Sequence, residues 1–355
     1  GLTDEVLSFL INVPIFKNKK LMSKLVDSIN DKGLDTNDIL YLDTRSPKNL
    51  FHRKDKTLSL FINLNSVNNY RTINKMLDII RRKLKNGGVF VGSFTALDEE
   101  YKILRKKMPK FMFVMIRPIH FIIFRIFPKI TIINKIYFFF SSGKRKYISK
   151  AEVFGRLKYI GFSITDYEII NNSTYFISEL IKTKSIEKSP SYGPLIKLKR
   201  IGLNQKLINI YKLRTMHPYS EFVQEDLVSN NDLDDRGKIN DDYRQTTYGK
   251  VFRKLWIDEI PQFYNWIKGD VNLFGVRALS PHYFSLYPKH LQLLRTKFKP
   301  GLIPPYYADL PKNFDDILVS EEKYLKMRLK NKILTDTNYL FRALFNIIFK
   351  GARSS

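Results

Sequence analysis

Asp258 and Glu259 stand side by side in the stretch IDEIPQFYNWIKGD, inside a chain that carries 61 Lys and Arg against 34 Asp and Glu. A carboxylate pair set among cations suits chemistry on a diphosphate. One carboxylate can serve as nucleophile or metal ligand while Arg and Lys hold the phosphates. Candidates for that second duty are Lys212 and Arg214 in NIYKLRT, and Arg277 shortly after Gly275. Residues two apart on a strand share a face, so Lys212 and Arg214 are expected on one side with Leu213 buried between them. A solvated, charged strand face is the alternative. Arg277 offers a planar fork to a phosphate or nucleotide edge, or else a surface ion pair with Asp270. Arg244 and Arg253 can serve substrate or structure equally.

The acidic pair reads as a helix start, with Asp258 as N-cap, Glu259 and Pro261 in the first turn, and Gly269 closing the helix. The helix dipole there would favour both an ionised Asp258 and a nearby phosphate. Acidic helix starts are common for that reason alone, so cap and nucleophile are compatible readings. Adjacent helical side chains diverge by about 100°, so both reach one centre only at a helix end.

The elements that must carry these residues fall into two regions. Short buried strands are expected at 38–43 (ILYLDT) and 57–63 (TLSLFIN). A helix over Asn69–Lys85 follows, with Ile73, Met76, Leu77, Ile80 and Leu84 on one face, stopped by Asn86-Gly87-Gly88. VFVGSF (89–94) is a further strand, Ser149–Tyr159 a helix ended by Gly161, and FSITDYEII with TYFISELI a hairpin turned at Asn171-Asn172. The polar stretch 183–192 reads as a linker between an N-terminal domain (1–182) and a C-terminal one (193–355).

Composition narrows the function. At 355 residues and 44% hydrophobic, the chain can bury two cores. A formal net charge of +27 points to anionic partners: nucleic acid, an acidic membrane face or phosphorylated substrates. No helix-turn-helix or RNA-binding signature supports nucleic acid. The absence of cysteine excludes disulfides and thiolate metal sites, and five scattered His do not suggest zinc. The chain opens at Gly1 without a signal peptide, so a cytoplasmic location is the expectation. Residues 111–140 are rich in Phe and Ile but broken by Arg117, Pro118, Arg125, Pro128, Lys129 and Lys135. That pattern does not span a bilayer. It suits either an interfacial segment on an anionic membrane surface or a buried helix pair with surface-reaching cations. The C-terminal NYLFRALFNIIFKGAR shares both readings.

The strand-helix-strand-helix-hairpin order over about 35–182 resembles the second half of a class I methyltransferase-like fold. The Gly-rich cofactor turn of such enzymes is missing, which implies a degenerate domain that has lost its cofactor. From Gly193-Pro194 onward the motifs are more specific. Arg200 with Gly202, Lys212-Leu213-Arg214-Thr215-Met216, Arg244, Gly249, Arg253, Asp258-Glu259, Lys268-Gly269-Asp270, Gly275 with Arg277, and Lys299-Pro300-Gly301 stand in order. This set, over about 190–350, resembles the bacterial sugar transferase family of monotopic phosphoglycosyl transferases.

The resemblance implies an α/β chain: a degenerate methyltransferase-like domain, then a mixed α+β transferase domain that lacks the family's re-entrant membrane helix before Gly193. It also implies transfer of a sugar-1-phosphate from a nucleotide sugar, UDP-linked by expectation, to polyprenyl phosphate or a related lipid at the cytoplasmic face of the inner membrane. Asp258 would be the nucleophile and Glu259 the Mg²⁺ ligand. Lys212, Arg214, Arg277, Arg244, Arg253, Arg200 and Lys299 would bind substrate. Gly275-Val276-Arg277-Ala278 replaces the family's Gly-Pro-Arg-Pro, and LIPPYYADLP follows Gly301 where the family differs. An inactive relative that scaffolds glycan assembly is the alternative.

Overall fold

The computed structural model describes residues 19–30, 38–129, 133–141, 146–182, 190, 192–223 and 243–352. Most of the expected linker (183–189 and 191) lies outside them. The chain divides into two compact units that are not contiguous in sequence. One joins Gly1–Tyr192 to His217–Arg244, the other Gly193–Met216 to Gln245–Ser355.

The first unit is built on a five-stranded sheet. Its elements are α1 (Lys19–Asn30), β1 (Ile39–Leu42), α2 (Lys48–Phe51), β2 (Leu58–Asn63), α3 (Ile73–Lys83), β3 (Leu84–Phe94), α4 (Leu97–Lys107), α5 (Lys110–Phe121), α6 (Ile133–Ser141), α7 (Lys150–Ile160), β4 (Phe162–Ile170) and β5 (Ser173–Leu180). Strand order is β1-β2-β3-β5-β4, with β1, β2 and β3 parallel and β5 antiparallel to both neighbours. Every residue of β2 is buried, as a parallel strand covered on both faces requires. Phe61 and Phe90 join Met76, Leu77, Phe154 and Leu157 of α3 and α7 on one face. Leu60, Ile62, Val89 and Val91 meet Leu21 and Leu25 of α1 on the other.

The hairpin turns where expected. Asn171 and Asn172 have φ of 49° and 64°, the pair of left-handed residues that a two-residue hairpin needs. Gly161 ends α7 at φ 119°. Both ends of α3 differ from expectation: it begins at Ile73 rather than Asn69, and it stops at Lys83 and runs straight into β3. Leu58 pairs with Leu84 but Leu60 with Val89, so Lys85 and the expected helix stop Asn86-Gly87-Gly88 bulge from the ladder instead.

In the second unit β6 (Leu195–Ile201) and β7 (Leu207–Leu213) form an antiparallel ribbon. They are followed by α8 (Thr247–Lys254), α9 (Gln262–Ile267), β8 (Asn272–Phe274), α10 (Pro281–Ser285), α11 (Lys289–Arg295), β9 (Gly301–Ile303), α12 (Tyr306–Asp309), α13 (Phe314–Lys330) and α14 (Lys332–Phe349). β8 and β9 pair in parallel. The core joins Phe274, Val276 and Leu291 to Tyr324, Leu325, Tyr339 and Ala343 of the last two helices. Among the described residues no helix is long and apolar enough to cross a membrane.

Candidate active site

Two close backbone contacts set the frame of the second unit. A Cβ on Gly249 would lie 2.1 Å from the Thr215 carbonyl oxygen, so only glycine lets α8 approach the end of β7. Thr246 caps that helix, accepting from Gly249 N at 2.9 Å and donating to the Thr215 carbonyl at 3.0 Å. A Cβ on Gly301 would lie 2.1 Å from Gly275 N. The Lys299-Pro300-Gly301 turn is therefore laid directly against β8, and Gly301 N donates to the Val276 carbonyl at 2.9 Å.

Asp258 does not cap a helix. Trp256 adopts φ 57°, Ile257–Glu259 form a single 3-10 turn, and α9 begins only at Gln262 and lasts six residues. The left-handed Trp256 re-aims the chain before the acids, and the dipole argument for Asp258 lapses with the helix start. Gly269, at φ 80°, closes α9 as expected. What holds α9 in place is a residue without a sequence signal, the fully buried Asn265. Its amide accepts from Tyr211 N at 3.0 Å and donates to the Asn209 carbonyl at 2.7 Å and to Asp270 at 3.1 Å. The helix after the acidic pair is thereby clamped to β7, the strand that carries Lys212.

That clamp brings Lys212 to the pair. Its ammonium donates to Glu259 Oε1 at 2.6 Å. Arg277 lies 3.8 Å from the same oxygen and donates to the Tyr306 hydroxyl at 3.1 Å, rather than pairing with Asp270, which binds Lys268 at 3.2 Å. Tyr306 belongs to the divergent LIPPYYADLP segment and was not among the residues expected at the site. Behind the site, the buried Arg295 is 3.5 Å from buried Glu321 and donates to the Arg277 carbonyl at 2.7 Å.

Asp258 is 7% exposed. Burial raises its carboxyl above the usual carboxylate range; Lys212 and Arg253 pull it down, while Glu259 pushes it up. Arg253 donates to Thr215 Oγ1 at 3.0 Å. Arg200 is close enough to Arg277 for that charge, added to burial, to lower its own pKa. Three cations, Lys212, Arg253 and Arg277, thus act on two carboxylates, with Arg200 beside Arg277, an excess that suits an anionic ligand.

Other expected residues have different partners. Arg214, just past β7, is buried and donates to the Gly193 carbonyl at 2.7 Å, so it holds the Gly193-Pro194 corner instead of sharing a solvent face with Lys212. Leu213 is only half-buried. Lys299 sits by the turn of Gly269. Arg244 belongs to the first unit, where its carbonyl accepts from His217 N at 2.8 Å.

Fold and site define a mixed α/β chain with an acidic pair in a cationic setting, and comparison with known proteins supplies the class. The model of the bacterial sugar transferase family matches residues 169–350, and the chain belongs to that family. It is 36% identical over 138 residues to the galactosyl transferase CpsE of Streptococcus agalactiae, covering 38% of this chain and 30% of that protein. It is 38% identical over 104 residues to the uncharacterized sugar transferase EpsL of Bacillus subtilis, covering 29% and 45%. It is 37% identical over 99 residues to the UDP-N-acetylgalactosamine-undecaprenyl-phosphate N-acetylgalactosaminephosphotransferase of Aeromonas hydrophila, covering 28% and 21%. The chain spans less than half the length of each of these curated relatives.

Proposed function

We propose that this chain transfers a sugar-1-phosphate from a nucleotide sugar, UDP-linked, to polyprenyl phosphate or a related lipid phosphate, in the assembly of a surface polysaccharide. The observation that carries the reading is the placement of Asp258, a shielded carboxylate acted on by Lys212 and Arg253 and next to a second carboxylate tied to Lys212 and Arg277. The Aeromonas relative is named for a UDP-sugar and undecaprenyl phosphate, which supports the same chemistry here.

In the first step an Asp258 oxygen attacks the β-phosphorus of the donor. A phosphorus–carboxylate bond forms, the bond from that phosphorus to the bridging oxygen breaks, and UMP leaves with the bridging oxygen. In the second step a phosphate oxygen of the lipid attacks the same phosphorus, and Asp258 is released as carboxylate. Burial withholds water from this mixed anhydride and raises the nucleophile's basicity. Arg277 and Arg200 suit the donor's phosphates or nucleotide edge, and Lys212 suits the charge that grows on the leaving oxygen.

Magnesium fits the donor set. Mg²⁺ takes one or two carboxylates and completes its shell with substrate phosphates and water, and Glu259 beside Asp258 offers that number. Among the described residues no group of three His, Asp or Glu side chains could hold a metal ion by itself. Glu259 would hold the ion, exchanging its contact with Lys212. The ion would neutralise diphosphate charge. Excess chelator is expected to abolish turnover, and sustained turnover would remove Glu259 from this role.

The lipid acceptor is supported by the surface beside Asp258. Ile260, Phe263, Trp266 and Ile267 on and before α9 are all exposed, Ile267 at 79%. Such a patch suits an isoprenoid or a membrane at the cytoplasmic face of the inner membrane, the side on which nucleotide sugars are made. For the first unit, the strand order with β5 inserted antiparallel between β3 and β4 supports the degenerate methyltransferase-like reading.

The scaffold alternative draws on the closed Lys212–Glu259 contact and on the altered flanks of Arg277. UMP release from UDP-sugars by purified protein with Mg²⁺, with and without polyprenyl phosphate, decides between them. Wild-type release that Asp258→Asn abolishes supports the transferase. Release equal in both proteins, or absent from wild type with every UDP-sugar offered, overturns it.

A further inference from the structure

Helix α5 has no buried residue at all, although it is among the most apolar segments of the first unit. Phe111, Met115, Ile119, Ile122 and Ile126 recur at intervals of four, four, three and four, one stripe along α5 and the π-helical turn that extends it, and all five are exposed. Met115 is 70% exposed, and on α6 Phe139 and Phe140 are each 80% exposed. Side chains of this size left in water across two helices are a surface awaiting a partner.

The opposite side of the segment is fixed to the protein. Arg125, 5% exposed, lies 2.6 Å from Glu152 of α7 and donates to the Tyr147 carbonyl at 2.8 Å. His120 sits among the rings of Tyr101, Phe124 and Tyr147, with centroids 5.8, 4.6 and 4.9 Å away. The stripe is therefore held outward by a rigid base. This also corrects one expectation, since Arg125 turns inward to close an ion pair rather than out to a surface.

Charge selects the partner. From Tyr101 to Lys150 the chain has thirteen Lys or Arg and no Asp or Glu. Arg105, Lys106, Lys107 and Lys110 stand exposed at the start of the stripe, and Lys135 is exposed beside Ile136 on α6. Protein interfaces are depleted of lysine, whereas aromatic rings bordered by lysines suit the boundary between acyl chains and anionic headgroups. The polar sequence before Gly193 also supplies no apolar segment for membrane contact.

We infer that the α5–α6 segment inserts its apolar stripe into an anionic lipid leaflet, with Arg105, Lys106, Lys107 and Lys110 on the headgroups, and anchors the chain to the membrane from the first unit. The inference deepens the lipid-acceptor reading, but its test needs neither donor nor acceptor, so either can fail alone.

The test is flotation of the purified full chain with phosphatidylcholine vesicles, with and without phosphatidylglycerol. Wild type is expected to float with the anionic vesicles, and Phe139→Glu with Phe140→Glu to partition at least ~tenfold more weakly. Lys106→Ala, Lys107→Ala and Lys110→Ala are expected to weaken binding to anionic vesicles roughly fivefold per lysine, with little effect on neutral ones. These side chains are exposed, so circular dichroism should match wild type. Equal flotation of wild type and the Phe variant overturns the inference, as does failure of wild type to float. So would a wild-type dimer that the Phe variant dissolves while neither binds vesicles, because a second copy then covers the stripe.

Discussion

The two units bury charge for different ends. In the first, Arg125 and Arg156 close on Glu152 at 2.6 and 2.8 Å, all three nearly inaccessible. Arg156 goes on to Asn74 at 2.5 Å, and Asn74 to the Tyr219 hydroxyl at 2.6 Å. Such a network joins the α5–α6 segment, α3, α7 and the returning residue 219 into one body. In the second, Lys212, Arg253 and Arg277 act on two carboxylates at a partly open site, and Arg200 adds charge beside Arg277. The buried pair there, Arg295 with Glu321, serves that site by holding the Arg277 carbonyl. A closed network stabilises one arrangement, whereas a cationic excess leaves work for a ligand.

The largest expected effect separates chemistry from fold. Asp258→Asn should lower UMP release by roughly three to four orders of magnitude, as loss of a covalent nucleophile does. Its thermal midpoint should stay near that of wild type, and a large drop would show that Asp258 is structural. Next comes Glu152→Ala, which strands two guanidinium groups in the first unit. It should cost about 3–5 kcal/mol in urea unfolding. A loss below about 1 kcal/mol would mean that the triad is no keystone, and the contrast between the units would weaken.

A smaller effect tests how Lys212 tunes the nucleophile. Asp258 must be ionised to attack, so activity falls as pH drops through its folded pKa, already raised by burial. Lys212 lowers that pKa, so Lys212→Met should move the acid limb of the pH–rate profile to higher pH. Glu259 raises it, so Glu259→Gln should move the limb of the residual activity to lower pH. Shifts in the opposite sense would disprove the electrostatic account. The smallest expected change is the stability cost of Lys212→Met, about 1 kcal/mol, because Glu259 keeps Arg277 as a second cation at 3.8 Å.

Much of the first unit was legible because its signals are local. Asn171-Asn172, Gly161 and the spacing of Ile73, Met76, Leu77 and Ile80 act through backbone preference and a short period. The helix stop at Asn86-Gly87-Gly88 was misplaced because pairing of Leu58 with Leu84 draws the chain into the sheet early. In the second unit the identity of the acidic pair and of Lys212 and Arg277 was readable from ordered motifs. Asn265 and Tyr306 were not, since an amide or a hydroxyl carries no periodicity and their partners lie far along the chain.

By itself the sequence determined the order of the sheet strands in the first unit, the family and the concentration of cations. Those follow from preferences that operate within a turn or two of backbone and from motif order. Tertiary structure alone decided that Lys212 meets Glu259, that Arg214 turns to Gly193, that Arg125 faces inward and that Asp258 sits in a 3-10 turn. The reason is range: those contacts join residues many positions apart, and packing chooses among partners that are equal in charge.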